Sequence, residues 1–264
     1  MTPLTEFEQI FDQVYPEQIN LKSFDKKSTL CPSLWVDGQL KKLVRRHLYA
    51  LAKEFMADLD ENMVIPIKDV LLVGSIAGFN WSKYSDVDLH VTVNFDELSN
   101  YGTRETLQSL FDMKKADWNA KHDIFIYGYP VEMYIQGDDT QNESNGIFSV
   151  KYNKWIKVPD GGSPILHKQL IRTQAARYIN IIDKFVEAAH EAKSVRQCQA
   201  IYDELDNISN EVYAGRKSGL AEYGESAAGN IVFKVLRRTG HMDLIKVTKR
   251  ELYDKMRQIT DKNI

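Results

Sequence analysis

Cysteine is nearly absent from this 264-residue chain, and its two copies, Cys31 and Cys198, lie far apart. Two such thiols support neither a disulfide framework nor a four-ligand structural zinc site. A reducing, cytoplasmic setting is the simplest expectation. No run approaches the roughly 20 apolar residues that span a bilayer, so no membrane association is expected. The stretch from Met1 to Gln18 is polar and acidic, unlike a signal peptide. Proline is missing from the last hundred residues, all seven copies lying at or before Pro164. Because proline breaks helix interiors, that absence predicts a helical C-terminal part. A large net charge is lacking as well. The formal −3 nevertheless conceals a division. Residues 1–150 hold 14 Lys and Arg against 23 Asp and Glu, a net −9, and residues 151–264 hold 20 against 14, a net +6. Such a split suits a phosphate-rich ligand or simply reflects variation among helix surfaces.

With no repeat or low-complexity tract, this length suits one large or two modest domains. The N-terminal part reads as mixed α and β. A short helix is expected over residues 6–14, an irregular arm over 17–34, and a longer helix from Asp37 to about Asp60. In that helix Leu40, Leu43, Val44, Leu48, Leu51 and Phe55 recur at helical spacing. Val70–Val73 reads as a buried strand, Asp88–Val93 as an alternating one, and Arg104–Asp117 as a helix. Ile124–Tyr127 and Val131–Ile135 flank Gly128-Tyr129-Pro130, a hairpin signature. Gly146–Val150 and Trp155–Val158 suggest a further pair. Ser163-Pro164 reads as the start of the helical part. Helices follow over about 164–189, Val195–Val212 and Ser226–Arg238. The last of these stops at Gly240, with Arg237 and Arg238 in its final turn. Thr248-Lys249-Arg250-Glu251 fits a capping box for a final helix. The expectation is α+β: a small mixed sheet flanked by helices over 1–160, then an all-helical domain over 161–264.

The chemistry concentrates between Val70 and Val93. A strand ends at Gly74-Ser75, a ten-residue polar spacer follows, and Asp86-Val87-Asp88 opens the next strand. Strand alternation sends Asp86 and Asp88 to one face and Val87 and Leu89 to the core. Paired carboxylates there are natural ligands for a hard cation such as Mg²⁺. Glycine at 74 lets the backbone approach a phosphate, and Ser75 adds a hydroxyl and an N–H as donors. Lys83 in the spacer joins the candidate nucleotide contacts. Glu132 sits mid-strand among apolar neighbours, where an unpaired carboxylate is costly. A third ligand would complete a two-metal site of the kind phosphoryl transfer uses.

Gly74-Ser75, the spacer, Ser85-Asp86-Val87-Asp88-Leu89 and the later Glu132 together resemble the DNA polymerase β-like nucleotidyltransferase superfamily. The branch they look most like holds 2′-5′-oligoadenylate synthetases, bacterial cyclic-oligonucleotide synthases and class I CCA-adding enzymes. A looser resemblance spans nearly the whole chain, to phage-encoded proteins predicted to be nucleotidyltransferases. It rests on the phrases Asn80–Asp86, Asn153–Ile156, Gly215–Leu220 and Asn230–Arg238, and implies a host cytoplasm if this chain is phage-encoded too. The superfamily resemblance implies a small catalytic sheet domain and a helical domain that closes the nucleotide cleft. It implies Gly74 and Ser75 on the β- and γ-phosphates and Asp86 and Asp88 on two Mg²⁺ ions, with Mn²⁺ a substitute. Glu132 would bind the catalytic ion and help activate the acceptor hydroxyl. A helical-domain lysine or tyrosine often grips the triphosphate in such enzymes; Tyr213, Lys217 and Lys234 are the candidates here.

The activity implied is transfer of a nucleoside monophosphate from an NTP, ATP first, to a nucleotide, oligonucleotide or RNA end. Two other readings stay open: a catalytically silent nucleotide- or RNA-binding protein, and a toxin-like transferase acting on tRNA or protein. Some residues have plainer readings. Asp123 and Asp138 could replace Glu132 but lie near strand ends. His90 shares a face with Asp88 and reads as structural, Arg237 and Arg238 as helix C-terminal charges, and Trp81 as a loop anchor. Arg216 reads equally well as surface or contact.

Overall fold

The computed structural model describes residues 13–59, 63, 65–161 and 167–261. Contacts divide the chain into two units. One is Ser23–Ser163; the other is Pro164–Ile264 together with the chain up to Lys22.

The first unit is built on a six-stranded sheet. It opens with a two-residue hairpin, β1 (Trp35–Val36) and β2 (Gln39–Leu40), followed by helix α1 (Lys42–Ala57). The expected helix start at Asp37 is therefore wrong. Asp37 and Gly38 both take positive φ, +48° and +74°, the conformation that makes Asp-Gly a tight hairpin turn. Strand β3 (Asp69–Val73), β4 (Val87–Val93), helix α2 (Arg104–Lys121), β5 (Phe125–Ile126), β6 (Tyr129–Gly137), β7 (Ile147–Ser149) and β8 (Lys154–Lys157) complete the unit. The sheet order is β5-β6-β4-β3-β7-β8. β4 and β6 run parallel with α2 in the crossover between them, and the other neighbours are antiparallel.

Period-2 alternation gives this sheet two unlike faces. Val70, Leu72, Val87, Leu89, Val91, Val131, Met133 and Ile135 are buried in one core with α1 and α2. The α1 contribution is Val44, Leu48, Leu51, Ala52 and Phe55, one stripe at helical spacing. Leu107, Phe111 and Trp118 extend the same kind of stripe along α2. That is why α2 runs to Lys121 rather than stopping near Asp117, since Trp118 packs against Phe55. Each such aliphatic or aromatic side chain contributes about 1.5–3 kcal/mol by leaving water. The opposite face carries Leu71 and Val73 on β3 beside the polar Asp88, His90, Glu132, Tyr134 and Gln136.

Strand β5 pairs with Tyr129 and Pro130, and Ile124 just before it accepts from the Val131 N–H at 2.9 Å, so this segment stops short of Met133 on the outer edge of β6. Asn119 of α2 takes the place of a strand neighbour. Its side chain donates to the Met133 carbonyl at 3.2 Å and accepts from the Met133 N–H at 3.0 Å. Both groups of a buried edge residue are thereby satisfied.

The second unit contains α3 (Lys168–Glu191), α4 (Val195–Tyr223), α5 (Ala228–Arg238) and α6 (His241–Asp261). Residues 162–166, and so the expected cap at Ser163-Pro164, lie outside the described residues, as does most of the expected helix over 6–14. Asn180 of α3 both accepts from the Val14 N–H and donates to the Val14 carbonyl, each at 2.8 Å. Residues 13–22 thus join the helical unit, not the sheet unit to which a 1–160 domain would assign them. α4 does not end at Val212 but continues through Gly215 and Gly219. Glycine costs a helix about 1 kcal/mol relative to alanine, and here close packing uses its bareness. A Cβ on Gly229 of α5 would run into the Gly215 carbonyl, and one on Gly219 would come within 2.9 Å of Ala227 Cβ. α6 starts at His241, directly after Gly240 at φ +83°. Thr248 is buried in its middle and caps nothing. No described helix is long and apolar enough to cross a membrane.

Replacing Asn119 by Ala separates helix propensity from edge satisfaction. On propensity alone, alanine would stabilise α2 by up to about 0.7 kcal/mol. Orphaning Met133 should instead lower the unfolding free energy by about 1–3 kcal/mol, read from urea denaturation with an unchanged slope.

Candidate metal centre

Asp86, Asp88 and Glu132 converge. One carboxylate oxygen from each lies within 4.8 Å of the others, and all three residues are half-buried. The register explains the meeting: Asp88 pairs with Glu132 across the parallel β4–β6 ladder, and Asp86 precedes Asp88 by one strand period. Three oxygens on one octahedral Mg²⁺ stand roughly 3–4 Å apart. With every pair inside 4.8 Å, the three oxygens are already gathered close to that spacing. At an effective dielectric of 20, two full charges 4.8 Å apart repel by about 3.5 kcal/mol. A divalent cation reverses that sign, so the donor chemistry fits a hard metal ion. The alternatives do not join: Asp123 and Asp138 are exposed and outside this group.

Gly74 is fitted to this cluster. Its backbone, at φ 73° and ψ −165°, lies in a region essentially reserved for glycine. A Cβ there would collide with the Asp88 carboxylate. The turn that follows, Ser75–Ala77, is held from behind. Trp35 Nε1 donates to the Ile76 carbonyl at 2.9 Å, and Trp35 stacks on Trp155 at 4.9 Å. Ser75 Oγ lies 2.8 Å from Ser85 Oγ, which accepts from the Ser82 N–H at 3.0 Å. The two ends of the spacer are thus tied together just before Asp86. Trp81 anchors the spacer, donating from Nε1 to the Thr29 carbonyl at 2.8 Å. Lys83 is exposed, its ammonium 4.9 Å from the Tyr84 ring centre.

Glu132 differs from the expectation of an unpaired carboxylate. Tyr134 donates to its Oε2 at 2.6 Å. Burial, that bond and the charges of Glu132, Asp88 and Asp86 all push the Tyr134 phenol far above its ordinary pKa, so it stays a donor. His90 stacks on the Tyr134 ring at 4.6 Å and lies 2.6 Å from Gln136 Oε1 through Nδ1. Burial lowers the His90 pKa, opposed by the Gln136 bond and aided by the Lys115 charge. A neutral, structural imidazole results. Tyr134 and Lys115 were missed in the sequence. Tyr134 shares the 132, 134, 136 face and was legible by alternation, whereas Lys115 comes from another element and was not.

The remaining sequence candidates lie in the helical unit. Tyr213 and Lys217 are exposed on α4, with Tyr213 5.3 Å from the Phe233 ring. Lys234 is half-buried on α5. Arg216 sits 4.2 Å over Phe233.

Gly74→Ala should disturb fold and site together. Backbone strain alone should cost about 1–3 kcal/mol of stability, and the displaced Asp88 should weaken Mn²⁺ binding. Gly128→Ala is the control. It also has positive φ, +85°, with nothing near its Cβ, so it should lose stability while keeping metal binding, as read by denaturation and Mn²⁺ titration.

No family model matches the chain, and no curated protein does. Among solved structures, a STING-associated CdnE c-di-GMP synthase from Capnocytophaga granulosa aligns over 84% of this chain and 84% of its own, at 11% identity and a TM-score of 0.21. That TM-score is too low for the match to carry fold or activity to this chain.

Proposed function

We propose that this protein is a metal-dependent nucleotidyltransferase that moves a nucleoside monophosphate from an NTP to a hydroxyl acceptor. The observation that carries the reading is the convergence of Asp86, Asp88 and Glu132 beside a glycine that only a bare backbone fits. The superfamily resemblance of the same residues supports it. Asp86 and Asp88 would hold two Mg²⁺ ions and Glu132 one of them. Bound there, such ions lower the pKa of the attacking hydroxyl and neutralise charge on the leaving pyrophosphate. Gly74 lets the strand end approach a phosphate without a side chain between. The Ser75 and Ser85 hydroxyls lie 2.8 Å apart and either can donate to the other; with Ser85 as the donor, the Ser75 proton would be available to a phosphate oxygen.

In the reaction the acceptor oxygen forms a bond to the α-phosphorus as the bond to the α–β bridging oxygen breaks. Pyrophosphate leaves with that electron pair, and the hydroxyl proton departs toward the carboxylate cluster. Lys83, Tyr213, Lys217 and Lys234 are the candidate triphosphate contacts. ATP is the first NTP to test, with a nucleotide, oligonucleotide or RNA end as acceptor.

Incubation of the full chain with labelled NTPs, Mg²⁺ or Mn²⁺ and that acceptor panel should release pyrophosphate. Asp86→Asn and Asp88→Asn should each lower the rate by about 100-fold or more, the equivalent of several kcal/mol of lost charge stabilisation. A folded, Mn²⁺-binding protein that yields no pyrophosphate with any acceptor would defeat the reading. Nucleotide or RNA binding that survives both chelation and the Asp86 and Asp88 substitutions would instead favour a binding protein.

A further inference from the structure

Behind the acidic cluster the polar face of the sheet forms an ordered row. The parallel register sets Asp88 beside Glu132, His90 beside Tyr134 and Thr92 beside Gln136. Within this row, Tyr134 reaches two residues along its own strand and donates to Glu132 Oε2 at 2.6 Å. The tyrosine is itself held. His90 stacks on its ring at an interplanar angle of 23°, and the Lys115 ammonium lies 4.0 Å from the ring centre. Gln136 fixes His90 in turn. A glutamate on a strand samples several rotamers, and a carboxylate among two others is driven away from them by repulsion. A strong donor on one oxygen offsets part of that repulsion and fixes the plane of the group.

We propose that Tyr134 is a positioning residue, holding the Glu132 carboxylate in the orientation in which it meets a metal ion beside Asp86 and Asp88. The inference rests on the metal-centre reading above. Its structural rival is that the tyrosine only fills space, and the two separate because Phe keeps the ring, the His90 stack and the Lys115 contact while removing only the hydroxyl.

The test compares Mn²⁺ titration of the full chain, followed by the loss of the free-ion magnetic resonance signal, for the wild type and Tyr134→Phe. Thermal unfolding without metal is measured on both. Loss of a partner that orients a metal ligand weakens binding by about 10-fold or more, and that loss is expected for Tyr134→Phe. The metal-free midpoint should shift by less than about 3 °C. In turnover, the variant's apparent Mn²⁺ constant should rise while kcat recovers at saturating metal. Unchanged Mn²⁺ affinity in the variant would overturn the positioning role while leaving the metal centre intact. Weaker binding accompanied by a larger fall in the midpoint would assign Tyr134 a structural role instead. A wild type that binds no Mn²⁺ would overturn the metal centre, and this role with it.

Discussion

The parallel pairing of β4 with β6 sets Asp88 directly beside Glu132, and most of the site depends on that register. Like charges opposite one another destabilise a strand pair. A slip of one residue would relieve the repulsion, but it would also turn Val87, Leu89 and Val91 out of the core. Those side chains are fully buried. Apolar burial on one face therefore enforces an acidic meeting on the other. The fold tolerates the repulsion because the other face holds the register against it, while Tyr134 donates to one of the carboxylates. A cation at this position would draw together what the sheet has already aligned.

The same economy of space governs the turn before the spacer. Gly74 passes so close to Asp88 that no side chain fits. The turn after it is held from behind by Trp35, which stacks on Trp155. An aromatic cluster from the first hairpin and the last strand thus sets the position of a backbone segment in the middle of the chain. Sheet edges receive comparable care: Asn119 supplies β6 with the partner that the short β5 does not.

In the helical unit, close approach matters more than propensity. α4 runs for 29 residues through two glycines because their missing side chains let α5 lie against it. A scale that counts only local cost ends the helix too early, since burial of the α5 face, with Ile231, Val232, Phe233, Val235 and Leu236 all buried, outweighs about 1 kcal/mol per glycine.

Sequence alone determined the two classes of structure and the strands that carry Asp88 and Glu132, and it singled out the three carboxylates that come together. These follow from periods of 2 and 3.6 and from a glycine-spacer-acid pattern, which are local properties of the chain. It also contained the Asp37-Gly38 turn and the Tyr134 face, both readable from turn chemistry and alternation. Tertiary structure alone decided the rest. The separation of the three acids, the bond from Tyr134 to Glu132, the Lys115 contact and the service of Asn119 to a distant strand all join residues from different elements. So does the packing that carries α4 past its glycines and buries Thr248 in mid-helix, where its pattern suggested a cap. Such features depend on which surfaces meet, and a one-dimensional pattern specifies which face of an element is apolar but not the neighbour that covers it.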